Sequence, residues 1–147
     1  MEITIADASE ALLPQIQRIE QQSFSVPWTE QMLRMQLDPD SHVFLTAEAD
    51  GGVVGYIGMM YVLDEGYISN VAVRPDHRRR GIANALLDEL ERRARALMLS
   101  FLTLEVRESN AAAVALYEKR AYRVVGRRKN YYEKPAEDAL LMTLTLT

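Results

Sequence analysis

Apolar residues recur with a 3.6-residue period at Ile82, Leu86, Leu90, Ala94 and Leu97, between two segments of strand character, Tyr67 to Val73 and Phe101 to Val106. Strand, helix and strand in that order form a crossover, which sets the two strands parallel in one sheet. Upstream, the strand-like runs Val43 to Ala49, Val53 to Leu63 and Tyr67 to Val73 are separated only by Asp50-Gly51-Gly52 and Asp64-Glu65-Gly66. Those are turn compositions of hairpin length, so the three runs form an antiparallel meander. The chain must therefore build a mixed sheet.

The remaining elements follow from the same periods. A short strand at Ile3 to Ile5 precedes helical spacing through Leu12, Leu13, Ile16 and Ile19, and a second helix runs from about Thr29, its cap, to Leu37. On the helix from Ile82, Asp88/Arg92, Glu89/Arg93 and Glu91/Arg95 are i,i+4 pairs expected on a polar face. A helix at Asn110 to Arg120 and strands near Tyr122 to Arg127 and Ala139 to Leu146 complete an α/β (α+β) reading. It amounts to a central, mixed, mostly antiparallel sheet of about seven strands flanked by about four helices.

With 147 residues and 48% hydrophobic composition the chain suits one domain over residues 1–147. The longest stretch without charge, Gly51 to Leu63, falls short of the roughly 20 residues needed to span a bilayer, and Met1 to Glu10 has no leader pattern. We read the chain as soluble and cytoplasmic, with no membrane partner; a monomer is compatible with this reading. No cysteine is present and only two histidines, which removes acyl-cysteine chemistry and leaves little for a metal. A net charge of -4 argues against direct nucleic-acid binding and suits a cationic peptide or amine.

Against that acidic background, Arg74-Pro75-Asp76-His77-Arg78-Arg79-Arg80-Gly81 gathers positive charge where a helix begins. A helix N-terminus carries about half a positive charge and unpaired N–H groups, and favours Asp or Glu. Arginines there make sense if an anion binds, with Gly81 allowing close approach of a phosphate or pyrophosphate. The loop lacks the Lys-Ser/Thr of a Walker loop and the glycines of a dinucleotide fold. Alone, Arg-x-x-Gly-x-Ala also suits a solvated basic turn.

A second constellation runs Leu104-Glu105-Val106-Arg107-Glu108-Ser109-Asn110 and on through Ala113 to Tyr117. Glu105 shares a strand face with Phe101 and Thr103, opposite Leu102, Leu104 and Val106. Asn110 and Tyr117 lie on one helix stripe, about 10 Å apart along the axis, with Ala113 leaving a shallow groove between them. Singly, each also suits a structural duty: Glu105 as an exposed strand end, Asn110 as an N-cap, Tyr117 as a core aromatic.

Together these residues resemble the GNAT acetyltransferase superfamily, in which a loop of the form Gln/Arg-x-x-Gly-x-Gly/Ala binds the pyrophosphate of acetyl-CoA. Leu104-Glu105-Val106-Arg107-x-Ser109-Asn110 with Ala113, Leu116 and Tyr117, then Arg128-x-Asn130-Tyr131-Tyr132 and Asp138-Ala139-Leu140-Leu141-Met142, look like the RimI type, the ribosomal-protein-alanine N-acetyltransferases. The resemblance implies the acyl-CoA N-acyltransferase fold, acetyl-CoA as cosubstrate, and as partner the basic N-terminal peptide of the eighteenth small-subunit ribosomal protein. It further implies that Val71, Ala72 and Val73 pair with the pantetheine arm. Arg79, Arg80, Gly81, Ile82, Ala83 and Asn84 would hold the pyrophosphate, and Asn110 would contact the cofactor. Glu105 would accept and Tyr117 donate a proton. The family loop often carries a second glycine where Ala83 stands, and a glycine where Ala121 stands.

Phe24, Pro27 and Trp28 between the first two helices, and Tyr131 and Tyr132 in what reads as the last loop, are aromatic or rigid groups that suit the walls of a peptide slot. Trp28 suits a lid over the core equally well. Glu30, Asp64 and Glu65 suit attraction of a basic peptide or plain solvation, and His42 and His77 read as surface residues. Two other functions share the motifs: a GNAT enzyme for another amine, and a non-catalytic acetyl-CoA-binding module, which would need neither Glu105 nor Tyr117.

Overall fold

The computed structural model describes residues 1–147 and contains a seven-stranded sheet in the order β1-β2-β3-β4-β5-β7-β6. The strands are β1 (Thr4–Asp7), β2 (His42–Ala49), β3 (Gly52–Val62), β4 (Glu65–Val73), β5 (Phe101–Arg107), β6 (Arg123–Tyr132) and β7 (Glu137–Thr145). The helices are α1 (Leu13–Ser23), α2 (Glu30–Met35), α3 (Ile82–Ala96) and α4 (Ala111–Lys119). All sheet neighbours are antiparallel except β4 and β5, the pair joined by the α3 crossover.

Local chemistry explains most boundaries. Thr29 caps α2, its hydroxyl accepting from the Met32 N–H at 3.2 Å. Asp50 and Gly51 both take positive φ, as a tight two-residue hairpin turn requires. The second hairpin departs from expectation: its turn is Leu63-Asp64, and Glu65 and Gly66 already belong to β4. Gly66 is there for packing, because a Cβ on it would lie 2.5 Å from the Leu102 side chain.

The sheet separates two cores. On one face α3 buries Ile82, Leu86, Leu87, Leu90 and Ala94 against Ile57, Met59, Leu102, Leu104 and Val106. On the other, Leu13, Ile16 and Ile19 of α1 and Leu33 of α2 pack on Phe44, Tyr56 and Ala72. The polar face of α3 is narrower than its charge pattern suggests. Glu89 does pair with Arg93 at 2.7 Å, and Arg92 and Arg93 hold its carboxyl down to about 2. Glu91, however, is 7% exposed and binds Arg120 and the Tyr122 hydroxyl instead of Arg95, while Asp88 meets Arg120 at 2.7 Å instead of Arg92. Arg120 also donates to Asn84 at 3.0 Å, so one guanidinium ties the end of α4 to the first turns of α3. Leu97 ends up exposed beyond α3.

Gly55 lets α3 approach the sheet: a Cβ there would sit 3.0 Å from the Ala72 carbonyl oxygen and 3.1 Å from the Ile82 side chain. Gly55→Val is expected to destabilise the fold by about 1–3 kcal/mol through overpacking, measured by urea unfolding.

Candidate active site

The β4–β5 ladder is short. It pairs Glu65 with Phe101, Gly66 with Leu102 and Tyr67 with Thr103, and then stops. Beyond Tyr67, β4 remains paired to β3 through Val73, so its other edge faces away from any strand. A register shift at Ser69, opposite Gly58 and Met59, bends β4 where the two strands part. The opening is a cavity of about 470 Å³, floored by the diverging strands and closed by α4 and the α1–α2 link.

The residues read from the sequence as catalytic or substrate-facing converge on it, whereas those of the arginine loop do not. Val71, Glu105, Asn110, Tyr117, Trp28, Tyr131 and Tyr132 all line the cavity, with Ala113 between the two helical groups. The side chain of Glu105 is 5% exposed, not an exposed strand end, and each oxygen has a donor. The Tyr67 hydroxyl donates to Oε1, and Arg128 Nε donates to Oε2 at 2.8 Å. Asn110 caps α4, its Oδ1 accepting from the Ala113 N–H at 3.2 Å, which fixes the amide at the cavity rim. Tyr117 is buried against Tyr122, rings 5.4 Å apart, and burial pushes its hydroxyl well above the ordinary phenol value. Asn110 and Tyr117 thus fill the structural duties of N-cap and buried aromatic while both border the cavity.

Tyr131 and Tyr132 end a strand instead of lying in a loop, β6 continuing past a register shift to Tyr132. Their rings meet edge to face at 5.0 Å, and the Arg107 guanidinium lies 4.5 Å from the Tyr132 ring centre. Burial, then Tyr131 and Glu105, push the Tyr132 hydroxyl up to about 12. Phe24 and Val26 add exposed apolar surface at the cavity wall, whereas Glu30 and Asp64 are engaged elsewhere, with Arg34 and Ser100.

The arginine loop lies outside this cavity, where β4 passes into α3. Gly81 takes φ 80 as the N-cap of α3, no side chain caps the helix, and no acidic residue stands in its first turn. The first intrahelical bond runs from Ala85 to Gly81, so the N–H groups of Ile82, Ala83 and Asn84 point out of the helix end without partners. Arg79 and Arg80 are exposed and make no ion pair, while Arg78 donates to the Val73 carbonyl at 3.2 Å. The Asn84 side chain is committed to Arg120, leaving only its backbone N–H open at the helix end. Ala72 turns its side chain into the α1 core and offers only backbone.

Sequence reasoning missed Tyr67, Glu20 and Asn70, all of which line the cavity. Glu20 carried a signal: it stands four residues after Ile16 and seven after Leu13, on the buried stripe of α1. Asn70 is likewise a polar residue inside the run Ile68 to Val73.

The family model described as acetyltransferase (GNAT) family matches residues 13–122. The chain is 36% identical over 150 residues to the [ribosomal protein bS18]-alanine N-acetyltransferase of Escherichia coli (strain K12), covering 98% of each. The crystal structure of the ribosomal-protein-S18-alanine N-acetyltransferase from Escherichia coli superposes with a TM-score of 0.92 at 33% identity, over 99% of this chain and 95% of that one. A chain of the NatC complex bound to Gag peptide and CoA superposes at 0.87 with 25% identity over the full length of both.

His77 is buried, not a surface residue: Nδ1 lies 2.8 Å from Asp76 and Nε2 2.9 Å from Asp50, bolting the arginine loop to the β2–β3 turn. Asp76 first, then Asp50, raise its pKa. A raised folded value means that this stabilisation is complete below the unfolded value of about 6.5 and is lost as pH rises through the folded one. The melting-temperature advantage of the parent over His77→Gln should therefore be greatest near pH 6 and shrink toward pH 9.

Proposed function

Because the chain belongs to the acetyltransferase (GNAT) family, whose members use acetyl-CoA, we propose that it transfers an acetyl group to the N-terminal alanine of ribosomal protein bS18, with Glu105 as proton acceptor and Tyr117 as donor. The observation that carries this is the meeting of Glu105, Asn110 and Tyr117 with the Trp28 and Tyr131 walls in one cavity, where β4 and β5 part.

The cofactor fits residues on the chain. The partnerless N–H groups of Ile82, Ala83 and Asn84 and the unpaired Arg79 and Arg80 suit a pyrophosphate. The free edge of β4 at Val71 to Val73 suits the amides of a pantetheine arm. Bound there, acetyl-CoA supplies an acetyl thioester. The amine forms the new N–C bond as the C–S bond breaks, and its surplus proton goes to Glu105, which Tyr67 and Arg128 hold in one orientation. Tyr117 donates to the departing sulfur, first as a hydrogen bond and then as the proton that makes CoA a neutral thiol, and is reprotonated from solvent as Glu105 releases its own proton there; burial, which makes Tyr117 a weaker acid, holds that transfer back until the C–S bond breaks. No covalent enzyme intermediate is needed.

An N-terminal amine suits this machinery better than lysine. With a pKa of about 7.7–8.0 roughly a quarter of it is neutral at pH 7.4, against about a thousandth of a lysine near 10.4. Glu105 then has little ionisation to overcome. Phe24, Val26 and Tyr131 provide an apolar wall for the first side chains of a peptide.

Steady-state CoA release with a peptide beginning Ala-Arg, the same peptide blocked at its N-terminus, and one beginning with another residue tests the reading. Turnover confined to the free alanine terminus is expected; transfer to internal lysine or to spermidine alone would replace it with another amine. Glu105→Gln should lower kcat about a hundredfold or more and Tyr117→Phe about tenfold, with acetyl-CoA affinity retained. Joint Arg79→Ala and Arg80→Ala substitution should instead weaken acetyl-CoA binding about tenfold or more, read by calorimetry, and flatten its salt dependence.

A further inference from the structure

One buried polar cluster on the α1 side of the sheet takes no part in the transfer just described. Glu20 is 1% exposed on the apolar stripe of α1 and lines the cavity. Its Oε1 accepts from the Tyr56 hydroxyl and from Asn70 Nδ2 at 3.1 Å, and its Oε2 accepts from the Trp28 backbone N–H at 2.9 Å. A carboxylate in a core needs donors, and these three supply them.

Asn70 is the informative member. It is 7% exposed, stands beside the Ser69 bulge and borders the same cavity. With Nδ2 committed to Glu20, its amide has one orientation, and Oδ1 is left buried without a partner. An orphaned amide oxygen at a cavity wall is explained when the ligand brings the donor.

We infer that Asn70 Oδ1 accepts a hydrogen bond from one N–H of the attacking amine, and that Glu20 is the positioning residue that aims it. The inference rests on the reading of this cavity as the acceptor site for an amino terminus. A neutral primary amine has two N–H bonds and one lone pair. With one N–H directed to Glu105 and the other to Asn70, the lone pair has a single direction left, toward the acyl carbon. Because Glu20 also grips the Trp28 backbone, the peptide wall and the amine acceptor move as one unit. The specificity that follows is for primary over secondary amines, since an N-methylated terminus has only one N–H to offer.

The test compares kcat/KM for an Ala-Arg peptide and its N-methylalanine counterpart in the parent, Asn70→Ala, Asn70→Ser and Glu20→Gln, with acetyl-CoA affinity measured for each. Asn70→Ser keeps a donor for Glu20 while withdrawing the carbonyl, and so guards against a folding defect. The parent should favour the primary amine, and both Asn70 variants should lower that preference roughly fivefold at unchanged acetyl-CoA affinity. Glu20→Gln, whose new amide donor allows the Asn70 amide to turn round, should lower it with Asn70 intact. Equal losses for both peptides in the Asn70 variants, or no loss at all, would overturn the inference and leave the proposed function standing. A parent that acetylates neither peptide would defeat the proposed function, and the inference with it.

Discussion

The site depends on where one β-ladder stops. Strands β4 and β5 share only the rungs from Glu65 to Tyr67, and everything chemical follows from their divergence beyond them. Had the ladder continued, the backbone of Val71 to Val73 would be paired on both edges, and Glu105, already paired to Leu141 of β7, would have β4 on its other side. The bulge at Ser69 and the two separate cores, one beneath α3 and one beneath α1 and α2, hold the strands apart. A wedge of this kind exposes backbone donors and acceptors that a sheet normally consumes, at a position flanked by helices on both faces.

Much of this was legible in the chain itself. The crossover, the meander and the α3 period are strong local signals, and the elements lie within a few residues of their expected places except β6, which runs on past Arg127 to Tyr132. Glu105, Asn110 and Tyr117 could be grouped because strand and helix periods fix which face each occupies. What escaped was set by distant partners. Gly66 reads as a turn glycine because turns favour glycine, yet the structure uses it to admit the Leu102 side chain. Glu91 reads as solvated because charges usually are; only the return of Arg120 and Tyr122 from α4 and beyond makes a buried position tolerable for it. His77 is drawn inward by Asp50, 27 residues upstream.

The helices are connected by charge as well as by apolar packing. Arg120 spans Asn84, Asp88 and Glu91, so the helix carrying Tyr117 is tied to the helix whose N-terminus carries the unpaired N–H groups. On the opposite face Glu20 does the same for the α1–α2 link. At Ala121 the chain accepts φ 73, a conformation that disfavours a side chain, immediately after Arg120 turns back toward α3. The strain falls where the alignment of two helices is decided.

The order of the strands also has a temporal consequence. Residues up to Val73 can form a hairpin meander from neighbours in sequence, but the cleft has no second wall until Phe101 to Arg107 arrives across α3, and β5 is not covered until β7 inserts between it and β6. Non-local pairing of this kind is the slow part of folding. A growing chain that has just passed Gly81 therefore already carries its arginine loop and yet has no cavity. The competent pocket is a late product of folding, complete only once β6 and β7 have joined the sheet.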